Sequence, residues 1–336
     1  MFRFTKPIAR DALAELLWRS GLTRPRRLDK LTIVTFHRVL PASARDEYPF
    51  PELAVTPEAL DFFVGHFRRH YELTTLSRGW RTLVEQRATR PLLCMTFDDG
   101  QRDNDEFARP VLESNGCLAT FFIATEAAEN DAMLWHDRVG FAARALRERA
   151  PSRYAHEFPH GVAAALERAK TWPAARREAW VETIESTAGG STRPSWDGLI
   201  DFDRLRALHA AGHEIGSHSC SHPTLPTCDD ERLMRELEGS RERLRAEGLG
   251  QVHTLCYPNG DHDARVRAAA SRAGYTLAVS TDWGLNTGNS DPFALQRCDI
   301  QVETTLSRLG GLSSARLGLR LSGLQPGLTG RAMAYS

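Results

Sequence analysis

Leu92-Leu93-Cys94-Met95-Thr96-Phe97-Asp98-Asp99-Gly100 is the stretch that decides how this chain of 336 residues is read. An uncharged, mostly apolar run ends abruptly in two adjacent carboxylates and a glycine. Such a run reads as a buried strand, and parallel α/β folds present their functional groups at the C-terminal ends of their strands. Asp98 and Asp99 stand at that end. Asp-Asp-Gly is also an ordinary turn sequence, so the pair needs support from elsewhere in the chain.

The same pattern recurs. Leu31-Thr32-Ile33-Val34-Thr35-Phe36 reads as a strand ending at His37, and strand-like runs follow at 119–124, 252–257 and 275–280. Glu214-Ile215-Gly216 is a shorter one, entered from a helix closed by Gly212. Between them lie helical stretches at 56–70, 104–115, 202–211, 229–247 and 263–273. The first of these opens Thr56-Pro57-Glu58, with proline where a helix tolerates it, and carries Leu60, Phe63, Val64 and Phe67 at helical spacing. Strands alternating with helices favour a mainly parallel sheet or barrel. Residues 127–200 exceed the length of one crossover and read as a mostly helical insertion. Beyond 305 the tail, 306–336, shows no clear periodicity and reads as loosely ordered or as a docking helix.

The second informative segment is His218-Ser219-Cys220-Ser221-His222. A helical turn there would put both imidazoles on one face, four residues apart, with Cys220 pointing away. One carboxylate and two histidines make a three-ligand set for a catalytic divalent metal, leaving a position open for water. The second carboxylate of the pair is then free to act as a base. Three further positions have both a plain and a functional reading. The turn Tyr257-Pro258-Asn259-Gly260 could offer a backbone N–H to an oxyanion. Arg297 could pair with a site carboxylate, and Trp283 could line a pocket or sit in the core. His37 ends a strand as the others do and so could face the same opening.

The charge balance is even, 43 basic against 43 acidic side chains, so no overall field points to nucleic acid. Residues 1–30 are an exception: Arg3, Lys6, Arg10, Arg19, Arg24, Arg26, Arg27 and Lys30 oppose Asp11, Glu15 and Asp29. With Leu13, Leu16, Leu17 and Trp18 interleaved, this is either an amphipathic helix resting on an anionic membrane or a terminal helix packed on the domain. No run is long enough to span a bilayer and no leader pattern is evident, so a cytoplasmic location, at the membrane face, is expected. The six cysteines form no CxxC pair and are expected to be free thiols.

These segments, in this order, resemble the polysaccharide deacetylase family, that is, carbohydrate esterase family 4 with its nodulation-type deacetylase domain. Thr96-Phe97-Asp98-Asp99-Gly100 matches the first motif of that family and His218-Ser219-Cys220-Ser221-His222-Pro223 the second. Tyr257-Pro258-Asn259-Gly260 resembles the third motif as it stands in the exopolysaccharide branch, and Thr35-Phe36-His37-Arg38-Val39 an N-terminal segment of the family. The resemblance implies a distorted (β/α)7-type barrel over 31–305, with 127–200 as its insertion. It also implies hydrolysis of the N-acetyl groups of a cell-surface polysaccharide or its lipid-linked precursor. By position it makes Asp98 the base and Asp99, His218 and His222 the ligands of a divalent cation. Zinc is the first expectation, with cobalt, nickel or iron as alternatives. The third motif lacks its usual arginine beside Pro258, and Arg297 is the candidate substitute for orienting the base. The usual late histidine is missing after Leu295, which gives His37 the general-acid role. Rival readings are a deformylase of an amino sugar, a barrel that binds glycans without catalysis, and a glycosidase. Adjacent aspartates suit the last poorly, because its two carboxyl groups flank a bond from about 5 Å or more apart.

Overall fold

The computed structural model describes residues 5–190 and 192–323. Seven parallel strands close into a barrel: β1 Leu31–Phe36, β2 Leu92–Phe97, β3 Thr120–Ile123, β4 Glu214–Ser217, β5 Thr254–Cys256, β6 Leu277–Trp283 and β7 Leu295–Asp299. Each pairs with its neighbour in chain order, and β1 closes the ring by pairing with both β7 and β2. A further short strand, Glu72–Thr74, lies along the first half of β2. β1 and β2 are buried at every position, which is why both read as continuous uncharged runs.

The barrel is irregular on its far side. β4 and β5 share one residue pair, Ser217 with Leu255. Between β7 and β6 the register shifts, Leu295 opposing Val279 while Arg297 opposes Trp283. Irregular pairing of this kind bends a strand and re-aims a side chain, and here it coincides with the entry of Arg297 into the barrel. β7 was not legible as a strand, because Gln296 and Arg297 interrupt its apolar pattern. The helix expected over 104–115 begins with a wide turn, Asn104–Ala108, before Arg109–Ser114 continues as α-helix. Pro110 has no N–H to give to the carbonyl four residues back, which accounts for the loosened ladder.

The stretch 127–200 folds as helices: the end of Thr125–Asn130, then Trp135–Arg149, Pro151–Glu157, Gly161–Lys170 and Ala174–Thr187. It has a hydrophobic core of its own, in which Val139, Ala142, Leu146, Leu166, Val181 and Ile184 pack together with Leu40, Tyr48 and Phe50 from the loop after β1. The N-terminal helix Thr5–Arg19 packs Ala14 against Ala315 and Leu319 of the C-terminal helix Ser314–Leu321. Asp11 and Arg316 pair between these helices at 2.8 Å. Leu13 and Leu16 remain exposed on the outer side of the first helix. Positions 1–4 of the basic segment, Arg3 among them, and 324–336 of the tail lie outside the described residues. Among the described residues no helix is long and apolar enough to cross a membrane.

Candidate active site

The strand ends deliver the chemistry to one mouth. His37 follows β1, Asp98 and Asp99 follow β2, His218 and His222 follow β4, and Arg297 lies within β7. Asp99 Oδ1 lies 3.3 Å from Nε2 of His218 and 3.5 Å from Nε2 of His222, and the two ring nitrogens are 3.2 Å apart. All three side chains are almost fully buried. Nδ1 of His218 sits 2.8 Å from the carbonyl oxygen of Cys256, and donation there leaves the Nε2 lone pair facing Asp99 and His222. Nδ1 of His222 has no hydrogen-bond partner. One shared proton could bridge the rings, but a cation with an open coordination position satisfies the carboxylate and both imidazoles together. The donor set fits zinc or a related divalent ion.

The helical turn expected at 218–222 is absent; the segment is a loop in which Ser219 and His222 adopt left-handed backbone, φ 65° and 54°. Asp99 does the same, at φ 75°. Side-chain bonds hold the loop in that shape. Glu236, on the buried stripe of helix Asp230–Ala246, accepts the N–H groups of Cys220 and Ser221 at 3.0 and 2.9 Å and the Ser221 hydroxyl at 2.5 Å. Ser219 Oγ accepts the N–H of His222 at 3.1 Å. The Cys220 thiol faces the carbonyls of Arg235 and Glu236, away from the rings.

Asp98 is held differently. Nη1 and Nη2 of Arg297 reach Oδ1 and Oδ2 of Asp98, each at 2.8 Å, a two-pronged pair of the kind that fixes a carboxylate in orientation. Arg297 also donates to Ser280 O and Thr96 Oγ1, at 2.8 and 3.2 Å. Burial would raise the Asp98 carboxyl, but the Arg297 charge, helped by His37 and the hydrogen bonds, holds it below its usual range. Burial opposes ionisation of Asp99 as well, and the His218 hydrogen bond and His222 charge hold it well below its usual range. Nε2 of His37 stands 3.9 Å from Asp98 Oδ2, and its side chain, 27% exposed, faces the opening. Asp98 and Asp99 are adjacent yet have separate partners.

Tyr257 is held at both its backbone and its hydroxyl. Its N–H is committed to the barrel ladder, donated to Val279 O at 3.2 Å, and its hydroxyl donates to Phe293 O at 2.9 Å. The turn expected to offer a backbone N–H to an oxyanion, Tyr257 to Gly260, borders the cavity with Tyr257, Asn259 and Gly260, and within it the Tyr257 N–H is the one committed to the barrel. Trp283 is half-buried against the main core and does not line the cavity.

Three contributors escaped the sequence reading. His136, from the insertion, stacks obliquely near His222 with ring centroids 5.5 Å apart. Cys256 Sγ lies 3.4 Å from Asp98 Oδ2 and 3.3 Å from Arg297 Nη2. Glu236 is the third, and it alone left a signal: a carboxylate between Leu233 and Leu237 on the apolar stripe of a helix. The cavity above the site has a volume of about 670 Å3.

Behind the mouth lies a second buried charge cluster. Arg38, the neighbour of His37, contacts Asp103 at 2.9 Å, Asp197 at 2.6 Å and Asp137 at 3.6 Å. Its guanidinium also lies over the rings of Tyr48 and Trp196, 4.9 and 5.3 Å from their centroids. Asp103 accepts the Val39 N–H and Asn104 donates to the His37 carbonyl, so the backbone on both sides of Arg38 is pinned.

Residues 85–278 match a family model described as polysaccharide deacetylase. Among curated proteins the chain is similar to chitin deacetylase 1 of Cryptococcus neoformans, 36% identical over 92 residues, 26% of this chain and 19% of that protein. It is also similar to chitin deacetylase 1 of Saccharomyces cerevisiae, 30% identical over 113 residues, 32% of this chain and 37% of that one. The chain thus spans well under half the length of the curated relatives it matches. Among solved structures, the Streptococcus pyogenes deacetylase PplD superposes with a TM-score of 0.60 at 16% identity, covering 90% of this chain and all of that one. IcaB from Ammonifex degensii does so with a TM-score of 0.57 at 14% identity, covering 88% and 97%. At those identities the likeness is one of fold.

Proposed function

Because the chain belongs to the polysaccharide deacetylase family, we propose that it hydrolyses the N-acetyl amide of an amino sugar in a cell-surface polysaccharide or its lipid-linked precursor. The observation that carries this reading is the split of two neighbouring carboxylates. Asp99 faces two imidazoles, while Asp98 is kept charged and oriented by Arg297.

Asp99, His218 and His222 would hold the divalent cation, zinc by the chemistry of the set, which when bound polarises the acyl carbonyl and acidifies water. Asp98 takes the proton from the attacking water, which requires an ionised carboxylate at hydrogen-bond reach of the reacting face. Arg297 supplies both conditions by charge and by its two-pronged grip. His37, on the open side of Asp98, returns a proton to the amide nitrogen as the C–N bond breaks, so the sugar leaves as an amine and the acyl group as a carboxylate. A carboxylate that is a tight ligand cannot also be a free base, which is the physical reason for the pair.

Two further elements of the proposal concern place. The six cysteines are free, as a reducing cytoplasm would keep them. Leu13, Leu16 and Leu22 are exposed beside Arg10, Arg19 and Arg26, which supports peripheral contact with an anionic membrane.

The test is release of acid from N-acetylglucosamine oligomers by purified protein, after metal analysis, with and without chelator. Acetate released by the metal-loaded protein and abolished by chelator supports the reading. Formate from an N-formyl sugar, with no acetate, would move it to deformylation. Binding of the sugars without release of either acid would leave a glycan-binding barrel.

A further inference from the structure

Cys256 ends β5 and touches both halves of the site. Its carbonyl oxygen lies 2.8 Å from Nδ1 of His218, the contact that leaves Nε2 facing Asp99 and His222. Its sulfur lies 3.4 Å from Asp98 Oδ2 and 3.3 Å from Arg297 Nη2, within range for hydrogen bonds through sulfur. The residue is fully buried, and burial raises the pKa of its side chain, so it stands as a thiol rather than a thiolate. A thiol both donates and accepts. Here the S–H donates to the carboxylate and the sulfur accepts from the guanidinium.

Two other readings of this sulfur fail on charge and on surroundings. Asp98, His218 and Cys256 stand close enough together to hold a cation. That place is taken by Arg297, whose positive charge already contacts Asp98 and the sulfur and would repel a second one. Nor is Cys256 an inert core thiol like Cys94, which is equally buried but whose sulfur meets the neutral carbonyl of Thr75 at 3.3 Å. The Cys256 sulfur meets two ions. Arg297 arrives from β7, where the strand register shifts, and its guanidinium is seated at three points besides Asp98: Nε on Ser280 O, Nη1 on Thr96 Oγ1 and Nη2 on the Cys256 sulfur. The last of these seats reaches the base as well.

Resting on the deacetylase reading, in which Asp98 is the base, we infer that Cys256 is a positioning residue: its thiol bridges Asp98 and Arg297 while its carbonyl holds His218, so one residue sets the base against the cation ligands. The geometry it controls is the distance from the Asp98 carboxylate to the attacking water, and a displacement of about 1 Å there can cost roughly 10²-fold in rate. A bond through sulfur is weak, so its loss should loosen the pair without breaking it, because Arg297 keeps its own two bonds to Asp98. The two contacts of Cys256 are separable by substitution, since the carbonyl belongs to the backbone and survives any change of side chain.

The experiment compares Cys256→Ala, Cys256→Ser and, as a control, Cys94→Ala with the parent, each as the metal-loaded full chain acting on N-acetylglucosamine oligomers. Cys256→Ala is expected to lower kcat about tenfold with KM unchanged. Its metal affinity, measured by competition with a chelator, should match that of the parent because His218 keeps its carbonyl partner. Cys256→Ser, whose hydroxyl donates and accepts at the same place, should recover most of the loss. Cys94→Ala should lower the melting temperature and leave kcat unchanged. Unchanged kcat in Cys256→Ala overturns the inference; so does an equal fall in Cys256→Ser or Cys94→Ala, or a fall that tracks lost metal. If the parent releases no acetate, the deacetylase reading fails on its own, and crystal structures of the parent and Cys256→Ala decide the positioning. An Asp98 carboxylate that turns out of the two-pronged pair upholds it, and one that keeps both bonds at 2.8 Å removes it.

Discussion

His37 and Arg38 are consecutive, yet they serve two buried charge clusters of opposite character. On one side, Asp98, Asp99, His218, His222 and Arg297 border an open cavity, and Nδ1 of His222 is left without a partner. On the other, Arg38 meets three carboxylates and two aromatic rings and is sealed from solvent, 1% exposed. Burial and charge are common to both. What separates a reactive cluster from a structural one here is access from the cavity. The clamp behind lacks that access, and its carboxylates fix chain segments instead: Asp103 the backbone of Val39, Asp137 and Asp197 the insertion.

The difference can be broken by mutation. Asp98→Asn is expected to have the largest effect, a fall in kcat of about 10²–10⁴ with metal retained, read by acid release and metal analysis. Full activity in that variant would remove Asp98 as the base. Its melting point should also drop, since Arg297 keeps its bonds to Ser280 and Thr96 but loses its counter-charge. Arg38→Met should behave in the opposite sense, costing about 3–5 kcal/mol in denaturant unfolding because Asp103 and Asp137 are left buried without a guanidinium and Asp197 keeps only Arg193. Its folded fraction at low temperature should still bind metal. Loss of metal without loss of stability would show that the two clusters are one.

Glu236→Gln probes the support of the open cluster, since this buried carboxylate shapes a ligand loop. Metal affinity is expected to weaken about 10–100-fold, measured by competition with a chelator. The smallest effect at neutral pH belongs to His66, which lies outside both clusters, packed near Trp18 and His70. Burial, with the charges of His70 and Arg69, lowers its pKa from 6.5 to about 3. The folded chain therefore binds fewer protons than the unfolded one between those values. The resulting stability is fully present above pH 6.5 and is lost as pH falls toward about 3. His66→Phe should unfold less steeply than the parent over that acid range and match its pH dependence above pH 7. An unchanged acid slope would assign the acid loss to the clusters.

Much of the site was legible because the fold places chemistry at strand ends, where an uncharged run stops at a polar residue. β1 and β2 carry that mark, so His37, Asp98 and Asp99 could be read. His218 and His222 were paired correctly for a wrong reason: the loop brings the rings together through left-handed turns and Glu236, not through a helical face. Arg297 could be named as a partner although its strand could not, since a charged residue aimed into the barrel breaks the pattern that marks a strand. Cys256 was read as a plain buried thiol; what distinguishes it is contact with Asp98 and Arg297, which lie far away in sequence. His136 and the Arg38 clamp were invisible for the same reason. Their partners come from four segments, and no local spacing encodes such a meeting.

The tie between Asp131 and residues 193–199 brings both ends of the helical insertion to one point on the barrel rim. Such a layout lets recombination exchange the whole segment through two nearby junctions, giving the same catalytic floor a different roof. The exchange is conditional on Arg38, which would lose Asp137 and Asp197 with the departing segment and keep only Asp103. An incoming segment must bring its own acids, or position 38 must change with it, so lineages that swap this module should carry a matched change beside His37.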